Sequence, residues 1–427
     1  MLRFVVVLYR YSVFVFNMLV HNHIHPSADL QVLHMDLDTF FVSVERLHNK
    51  TLHNKPLLIG GMGDRAVVAS CSYEARCFGV HSAMPMKQAL RLCPDAIVLR
   101  GDFEQYSRYS HLVTDIIRNK VPVYEKASID EFYIDLSGMD RFFGSYRFAL
   151  ELRQTIIRES GLPISMGFAN SKTVSKIATG EAKPNGQLQI VQGTEKAFLA
   201  PLPVQKIPMV GEKTCQLLRS MGVEKVKTIQ EMPVELMERL LGENGRVIWK
   251  KAQGIDRSPV VPYTEQKSLS TEETFEQDTI DVKAMKQTLI TLTEKLAFQL
   301  RKQNKLSACI TIKIRYAGFD TYTTQARIPY TSCDHILIAK AGELFDKLYS
   351  RRQLVRLLGV RFSHLVGGNY QISLFEDTEE LISLYQAMDR MRMRFNNPCA
   401  VTRAVSLAPP QKRDKKNQPQ KAERKKR

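Results

Sequence analysis

Short apolar runs alternate with stretches of helical spacing along the first half of the chain. Residues 31–36 (QVLHMD) read as a short buried strand ending in acid, and 39–49 as a helix. PLLIGG and AVVASC are apolar β-type runs with glycine at the break between them. A helical stretch follows, and AIVLR is another short strand. Residues 103–119 have helical spacing. VPVYEKASIDEFYIDLS reads as two strands joined by a turn at Glu125 and Lys126. Residues 143–159 predict a helix, PISMGFA a strand and SKTVSKIATGEA a helix. Strands that alternate with helices in this way belong to an α/β or α+β domain.

The pattern changes at residues 200–256, which read as all helical. IPMVGEKTCQLLRSMGV has the form of a helix-hairpin-helix, an apolar-Pro-x-x-Gly turn between two short helices. Such a turn can present backbone N–H groups to a phosphate; the same pattern also fits an ordinary helical turn with glycine at its cap. A proline-containing linker spans 259–267. Beyond it the order is strand (STEETF), helix (281–303), hairpin (ACITIKIRYAG and DTYTTQARI), helix (334–350) and strand (LVRLLGVRFSHL). This β-α-β-β-α-β order predicts a sheet with helices on one face. Lys313 and Arg315 alternate with Ile312 and Ile314, so the other face is basic; alone that fits a solvated surface, and beside a helix-hairpin-helix it fits a DNA-contacting face.

Composition changes the picture in three places. The 427 residues exceed what one core usually holds, so more than one domain is expected. Lys and Arg number 61 against 44 Asp and Glu, a net charge of +17. Residues 411–427 hold nine cations and two acids, a basic tail too poor in apolar residues to fold, which leaves +10 for the rest. A surplus in both parts points to a polyanion, nucleic acid or an acidic membrane surface. The seven cysteines, Cys71, Cys77, Cys93, Cys215, Cys309, Cys333 and Cys399, form no CxxC pair and fit a reducing cytoplasm. Residues 1–30 begin with an apolar run open to reading as a signal peptide or short anchor. Because Arg10 interrupts that run, we take the segment as an extension outside the core, with Met18 as another start. No membrane association is expected.

The chemistry lies in HMDLDTFF and SIDEFYID. Asp36 ends an apolar strand, Asp38 follows two positions on, and Asp130 and Glu131 are adjacent after a turn. Magnesium takes hard oxygen ligands and keeps several waters, so a few carboxylates and a substrate phosphate suffice. Two such ions can stabilise the attacking and leaving oxygens of a phosphoryl transfer. Neighbours on a regular strand point to opposite faces, so Asp130 and Glu131 can share a site only if the strand begins with a turn or bulge there. Strand-end acids are also ordinary surface caps. Tyr73 and Arg76 are three apart on a short helix, and an arginine fork matches phosphate oxygens. Lys183, in EAKPNG, is a second cation beside a turn; both cations also fit plain surface residues.

The ordered set HMDLDTFF, VVASCSYEARCFGVHSAMP, SIDEFYIDLS, SKTVSKIA and KPNG resembles the Y-family, the lesion-bypass DNA polymerases, on its bacterial polymerase IV branch. The resemblance covers about residues 31 to 375. It implies an α+β multidomain right hand. The palm would span 31–38 and 102–190, the fingers 39–101 and the helical thumb 191–258; the little finger, of βαββαβ order, would span 268–366. The catalytic residues it implies are Glu131, Asp36 and Asp130, holding two Mg²⁺ ions with the carbonyl of Leu37. Phe40, Phe41, Ser70, Tyr73, Arg76 and Lys183 match positions that hold the incoming nucleotide, Phe41 being the aromatic gate against a ribose 2′-OH. Asp38 is not a metal ligand in the family. QISLFED resembles a sliding-clamp peptide, with Gln371, Leu374 and Phe375 as its anchors, and 367–410 would hold this motif and a helical segment.

The implied activity is template-directed addition of dNTPs to a primer end, at low fidelity and without proofreading. The implied partners are primer-template DNA, dNTP and a sliding clamp, for a monomer in the cytoplasm. Two other functions fit much of the same sequence. One is the catalytic subunit of a polymerase V-like complex. The other is a non-catalytic, clamp-tethered DNA-binding protein, against which the three carboxylates argue.

Overall fold

The computed structural model describes residues 30–139, 144–349, 352–368, 378–395 and 402–404. The N-terminal extension, the peptide with Gln371, Leu374 and Phe375, and the basic tail lie outside the described residues. Among the described residues no helix is long and apolar enough to cross a membrane. The chain packs as two compact units, Met1–Thr264 and Glu265–Arg427.

The first unit opens with β1 (Val32–Leu37), α1 (Phe40–His48), β2 (Leu57–Gly60), β3 (Val68–Cys71), α2 (Tyr73–Arg76), α3 (Met86–Leu92) and β4 (Ile97–Leu99). Next come α4 (Phe103–Arg118), β5 (Tyr124–Lys126), β6 (Glu131–Asp135), α5 (Ser145–Ser160), β7 (Ile164–Ala169), α6 (Lys172–Ala182) and β8 (Gln187–Gln189). A five-stranded sheet of order β5-β6-β1-β7-β8 has β1 at its centre, antiparallel to both neighbours. Alternate residues of these strands face opposite sides. Leu33, Met35 and Leu37 of β1, Phe132 and Ile134 of β6, and Ile164, Met166 and Phe168 of β7 enter one core with residues of α1, α4 and α5. The other face receives α6. Its close approach demands Gly167 on β7, where a Cβ would stand 2.2 Å from the Ser175 carbonyl oxygen and 2.5 Å from the Thr179 nitrogen.

The small sheet β3-β2-β4 carries its own core of Leu58, Val68, Cys71, Ala75 and Ala89. Residues 195–252 form α7 (Glu195–Leu199), α8 (Glu212–Ser220), α9 (Val226–Glu231), α10 (Val234–Leu241) and α11 (Glu243–Ala252), which share a core with Val174 and Ile177 of α6. The turn before α8 holds Met209, exposed, at a φ of 83°.

The expected turn at Glu125 and Lys126 is displaced. Both residues lie in β5, and the chain reverses over residues 127–130 instead. Both charges find partners on the strand: Glu125 accepts from Lys172 Nζ at 2.8 and 2.6 Å, and Lys126 Nζ donates to Ser110 and Thr114 hydroxyls at 2.7 and 2.9 Å.

The second unit contains β9 (Ser268–Thr279), α12 (Val282–Lys302), β10 (Lys305–Tyr316), β11 (Thr321–Thr331), α13 (Asp334–Leu348), β12 (Val355–Gly367) and α14 (Thr378–Arg394). The sheet order is β11-β10-β12-β9. Ile310, Ile312 and Ile314 face α12 and α13 in the core, while Lys313, Arg315, Arg327 and Arg361 alternate with apolar residues and mark the open face. The helix α14 is fixed to this unit by buried charge. Arg301 meets Asp334 and Asp389 at 2.6 Å each, and the fully buried Arg392 stands 3.2 Å from Asp389 and 3.6 Å from Asp334.

Candidate active site

The alternation that sends Leu33, Met35 and Leu37 into the core sends His34 and Asp36 to the α6 face. In β6 the same rule turns Glu131 and Tyr133 that way. Asp36 and Glu131 are register partners across the two antiparallel strands, so two carboxylates converge on one side of the sheet. Asp130 is not a strand residue. It ends the reversal ahead of β6, which removes the geometric objection to neighbouring acids serving one site. Its carbonyl accepts from Leu37 N–H at 3.1 Å. Ser128 Oγ shares a hydrogen bond with its carboxylate and accepts from the N–H groups of Asp130 and Glu131 at 3.3 and 3.1 Å.

Two lysines meet these acids. Lys183 Nζ pairs with Asp36 at 2.5 Å, and Lys176 Nζ, from α6, pairs with Glu131 at 2.9 and 2.7 Å. Burial pushes the Asp36 carboxyl up to about 7; Lys183 opposes that rise, and the neighbouring charges of Glu131 and Asp130 add to it. His34, beneath Asp36, is held well below its usual range by burial and by the nearby Lys176, Lys183 and Lys172. Its Nδ1 lies 2.8 Å from Thr179 Oγ1, and its ring lies 4.6 Å from that of Tyr133.

Among the described residues no three Asp, Glu, His or Cys side chains stand close enough to hold a metal ion in their present rotamers. The donor chemistry nevertheless fits a hard divalent cation. Ionisation of Asp36 is resisted first by burial and then by the charges of Glu131 and Asp130, and a cation beside the three acids would offset that cost. In its place the lysines supply the positive charge.

Asp38 does different work. Its carboxylate is almost fully buried and accepts from Ser165 Oγ at 3.0 and 2.8 Å, Asn185 N–H at 2.6 Å and Tyr73 OH at 3.3 Å. It therefore joins β7, the turn after Lys183 and α2. Lys183 and Pro184 are linked by a cis peptide bond, and Arg153 donates to the Asn185 carbonyl at 2.7 Å. Through Asp38, Tyr73 is tied to the residue two positions after Asp36, and the exposed Arg76 guanidinium lies 5.2 Å from the Tyr73 ring centre. Ser70 is buried on β3, two residues ahead of Ser72, whose Oγ caps α2.

Phe41 is half-buried at the start of α1 and stacks on Tyr106 of α4, with ring centres 4.3 Å apart and planes 12° apart. Tyr106 OH donates to Glu45 at 2.6 Å, so the stack is fixed from below. The side chain of Phe40 points instead into the core, 2% exposed, which leaves only its backbone for a ligand.

Sequence reading missed Lys176 and Tyr106, and it named Asp38 as a non-ligand without foreseeing what it holds. Lys172, Lys176 and Lys183 fall at i, i+4 and i+11, one helical stripe, and that spacing was a usable signal for Lys176. The contacts of Asp38 span 127 and 147 residues and leave no local trace.

Comparison with known proteins shows the family. The impB/mucB/samB family matches residues 35–180, and the C-terminal domain of that family matches 266–374. DNA polymerase IV of Dehalococcoides mccartyi (strain CBDB1) is 38% identical over 369 residues, which is 86% of this chain and 95% of that protein. DNA polymerase IV of Treponema denticola is 35% identical over 329 residues, 77% of this chain and 83% of that protein. A solved Y-family DNA polymerase chimera superposes with a TM-score of 0.70 at 24% identity, covering 79% of this chain and 100% of its own. DinB from Sulfolobus solfataricus gives 0.56 at 25% identity over the same shares.

Proposed function

Because this chain belongs to the impB/mucB/samB family and is a Y-family, DNA-directed DNA polymerase of the polymerase IV type, we propose that Asp36, Asp130 and Glu131 are its catalytic carboxylates. With the Leu37 carbonyl they would hold two Mg²⁺. Bound there, the ions would offset charge on the attacking primer 3′-oxygen and on the departing pyrophosphate. The single observation that carries this reading is the register pairing of Asp36 with Glu131 beside the Asp130 turn.

The protein's own groups then divide the remaining work. Lys183 and Lys176 neutralise the carboxylates and are free to turn toward a triphosphate when other cations take their place. Arg76 and Tyr73 lie on α2 where they can receive phosphate oxygens, with Ser70 alongside. Phe41, held flat by Tyr106, presents a ring edge that would overlap a ribose 2′-OH. We assign 31–38 and 102–190 to the palm, 39–101 to the fingers, 191–258 to the thumb and 268–366 to the little finger. The basic open face of the second unit suits a DNA backbone. We further read Gln371, Leu374 and Phe375 as a sliding-clamp peptide, a tether outside the catalytic unit. Synthesis without proofreading and at low fidelity follows from the same reading.

Primer extension by the purified chain, with Mg²⁺ and the four dNTPs, tests it on undamaged and damaged templates. Extension by the chain alone supports the reading. A need for accessory subunits would favour a polymerase V-like catalytic subunit, and DNA binding without any incorporation would favour a non-catalytic binding protein. Deleting 371–377 should leave short-primer synthesis intact and remove stimulation by an added clamp.

A further inference from the structure

The reversal that carries Asp130 is held from behind, by a short chain of hydrogen bonds from a strand through a helix. Lys126, on β5, directs its amine at α4. There its partners are two hydroxyls, Ser110 Oγ at 2.7 Å and Thr114 Oγ1 at 2.9 Å. Lys126 is exposed as a residue, but its amine lies over the Phe132 ring, 5.7 Å from its centre, and desolvation there holds its pKa below the usual lysine value. A lysine can only donate, so Ser110 Oγ must accept here and its one proton must go elsewhere. It goes to the Ile129 carbonyl. That carbonyl belongs to the peptide whose N–H is that of Asp130.

The Asp130 backbone is thereby fixed on both sides. Its own carbonyl accepts from Leu37 N–H at 3.1 Å, and the preceding carbonyl accepts from Ser110. Ser110 is 1% exposed and faces the reversal from α4, one helical turn after Tyr106, the residue under Phe41. A charge-assisted donor upstream strengthens the Ser110 hydrogen bond, because Lys126 polarises the hydroxyl toward its acceptor.

We infer that Ser110 and Lys126 are positioning residues for Asp130, setting the peptide that aims its carboxylate at the metal-holding cluster. The inference rests on the proposed role of Asp130 and goes beyond it by naming what orients that acid. Outer-shell partners of metal-binding carboxylates typically change metal affinity or activity by about 10- to 100-fold when removed. Ser110 acts through a backbone carbonyl, one bond further out, so the lower end of that range applies.

The test titrates Mn²⁺ into the full chain with primer-template and a non-hydrolysable dNTP, reading free Mn²⁺ by electron paramagnetic resonance. In parallel, the Mg²⁺ concentration for half-maximal incorporation is measured. Ser110→Ala and Lys126→Met should each weaken Mn²⁺ binding about tenfold and raise the Mg²⁺ requirement by a similar factor. The KM for dNTP at saturating Mg²⁺ should change less than twofold. Thr114→Val removes the other partner of Lys126 but leaves the Ser110–Ile129 bond, and should shift metal binding less than twofold. Lys126→Met retains the apolar stem, so it serves if Ser110→Ala fails to fold. Lower thermal stability with unchanged metal affinity in both variants would overturn the inference. Asp130→Ala is the reference: if it too leaves Mn²⁺ binding unchanged, the assigned role of Asp130 fails and the inference falls with it. If Asp130→Ala weakens binding and the two variants do not, the inference alone is wrong.

Discussion

Replacing Asp36 by asparagine should stabilise the metal-free protein at alkaline pH while abolishing its activity. In the folded chain the Asp36 carboxyl is pushed from its ordinary 3.8 up to about 7, chiefly by burial, with Glu131 and Asp130 adding to the effect and Lys183 opposing it. Between those two values the folded state holds a proton that the unfolded state has lost, so stability falls as pH rises from about 4 to about 7. The cost of that rise is about 4 kcal/mol once the group is fully ionised. Asp36→Asn keeps the shape and carries no charge to desolvate. Its advantage over wild type should be close to zero at pH 4 and approach about 4 kcal/mol above pH 7. Urea unfolding of both chains in chelator, from pH 4 to pH 8, measures the difference directly. Saturating Mg²⁺ should narrow the gap by stabilising only wild type, through binding to the folded state. A variant that is less stable than wild type at pH 8, or a difference that does not vary with pH, would refute the reasoning.

Other perturbations follow from the same geometry. Phe41→Ala should let the enzyme incorporate ribonucleotides, because the ring excludes a 2′-OH by overlap; unchanged discrimination between dNTP and rNTP in single-nucleotide assays would place the gate elsewhere. Gly167→Ala would set a methyl 2.2 Å from the Ser175 carbonyl and should cost about 1–3 kcal/mol in urea unfolding, while moving α6 and hence Lys176 away from Glu131. A fully stable, fully active Gly167→Ala chain would contradict the close packing of α6. Removing 411–427, nine cations and two acids, should flatten the dependence of log affinity on log salt by a few units, since each phosphate contact contributes up to roughly 0.9. Parallel salt slopes for the full and shortened chains would leave the tail without a role in DNA binding.

How much of this was legible in the sequence depends on the range of the contacts. The strand ending in Asp36 was visible because apolar alternation stops there, and SIDEFYID because a strand follows a polar reversal. The βαββαβ order of the second unit was visible for the same reason. The position of the reversal was not: Glu125 and Lys126 are poor strand residues alone and become good ones only beside Lys172 and Ser110. Asp38 was set aside as a non-ligand, and its hold on Ser165, Asn185 and Tyr73 comes entirely from distant chain. Arg392 would be read as a solvated helix residue paired with Asp389 three positions before it, yet it is buried against Asp334 as well, a partner that no local pattern announces.

The central claim is that Asp36, Asp130 and Glu131 form a metal-dependent nucleotidyl-transfer site. Single-nucleotide incorporation on a primer-template, for wild type, Asp130→Ala and Glu131→Ala, tests it most directly when DNA binding is measured alongside. Wild type should add the templated nucleotide with Mg²⁺ and none in chelator. Each variant should bind DNA nearly as well as wild type and incorporate nothing, because the acids act on the reaction while most backbone contacts lie elsewhere. Incorporation above a few per cent of the wild-type rate by either variant, or by wild type in chelator, would contradict the assignment.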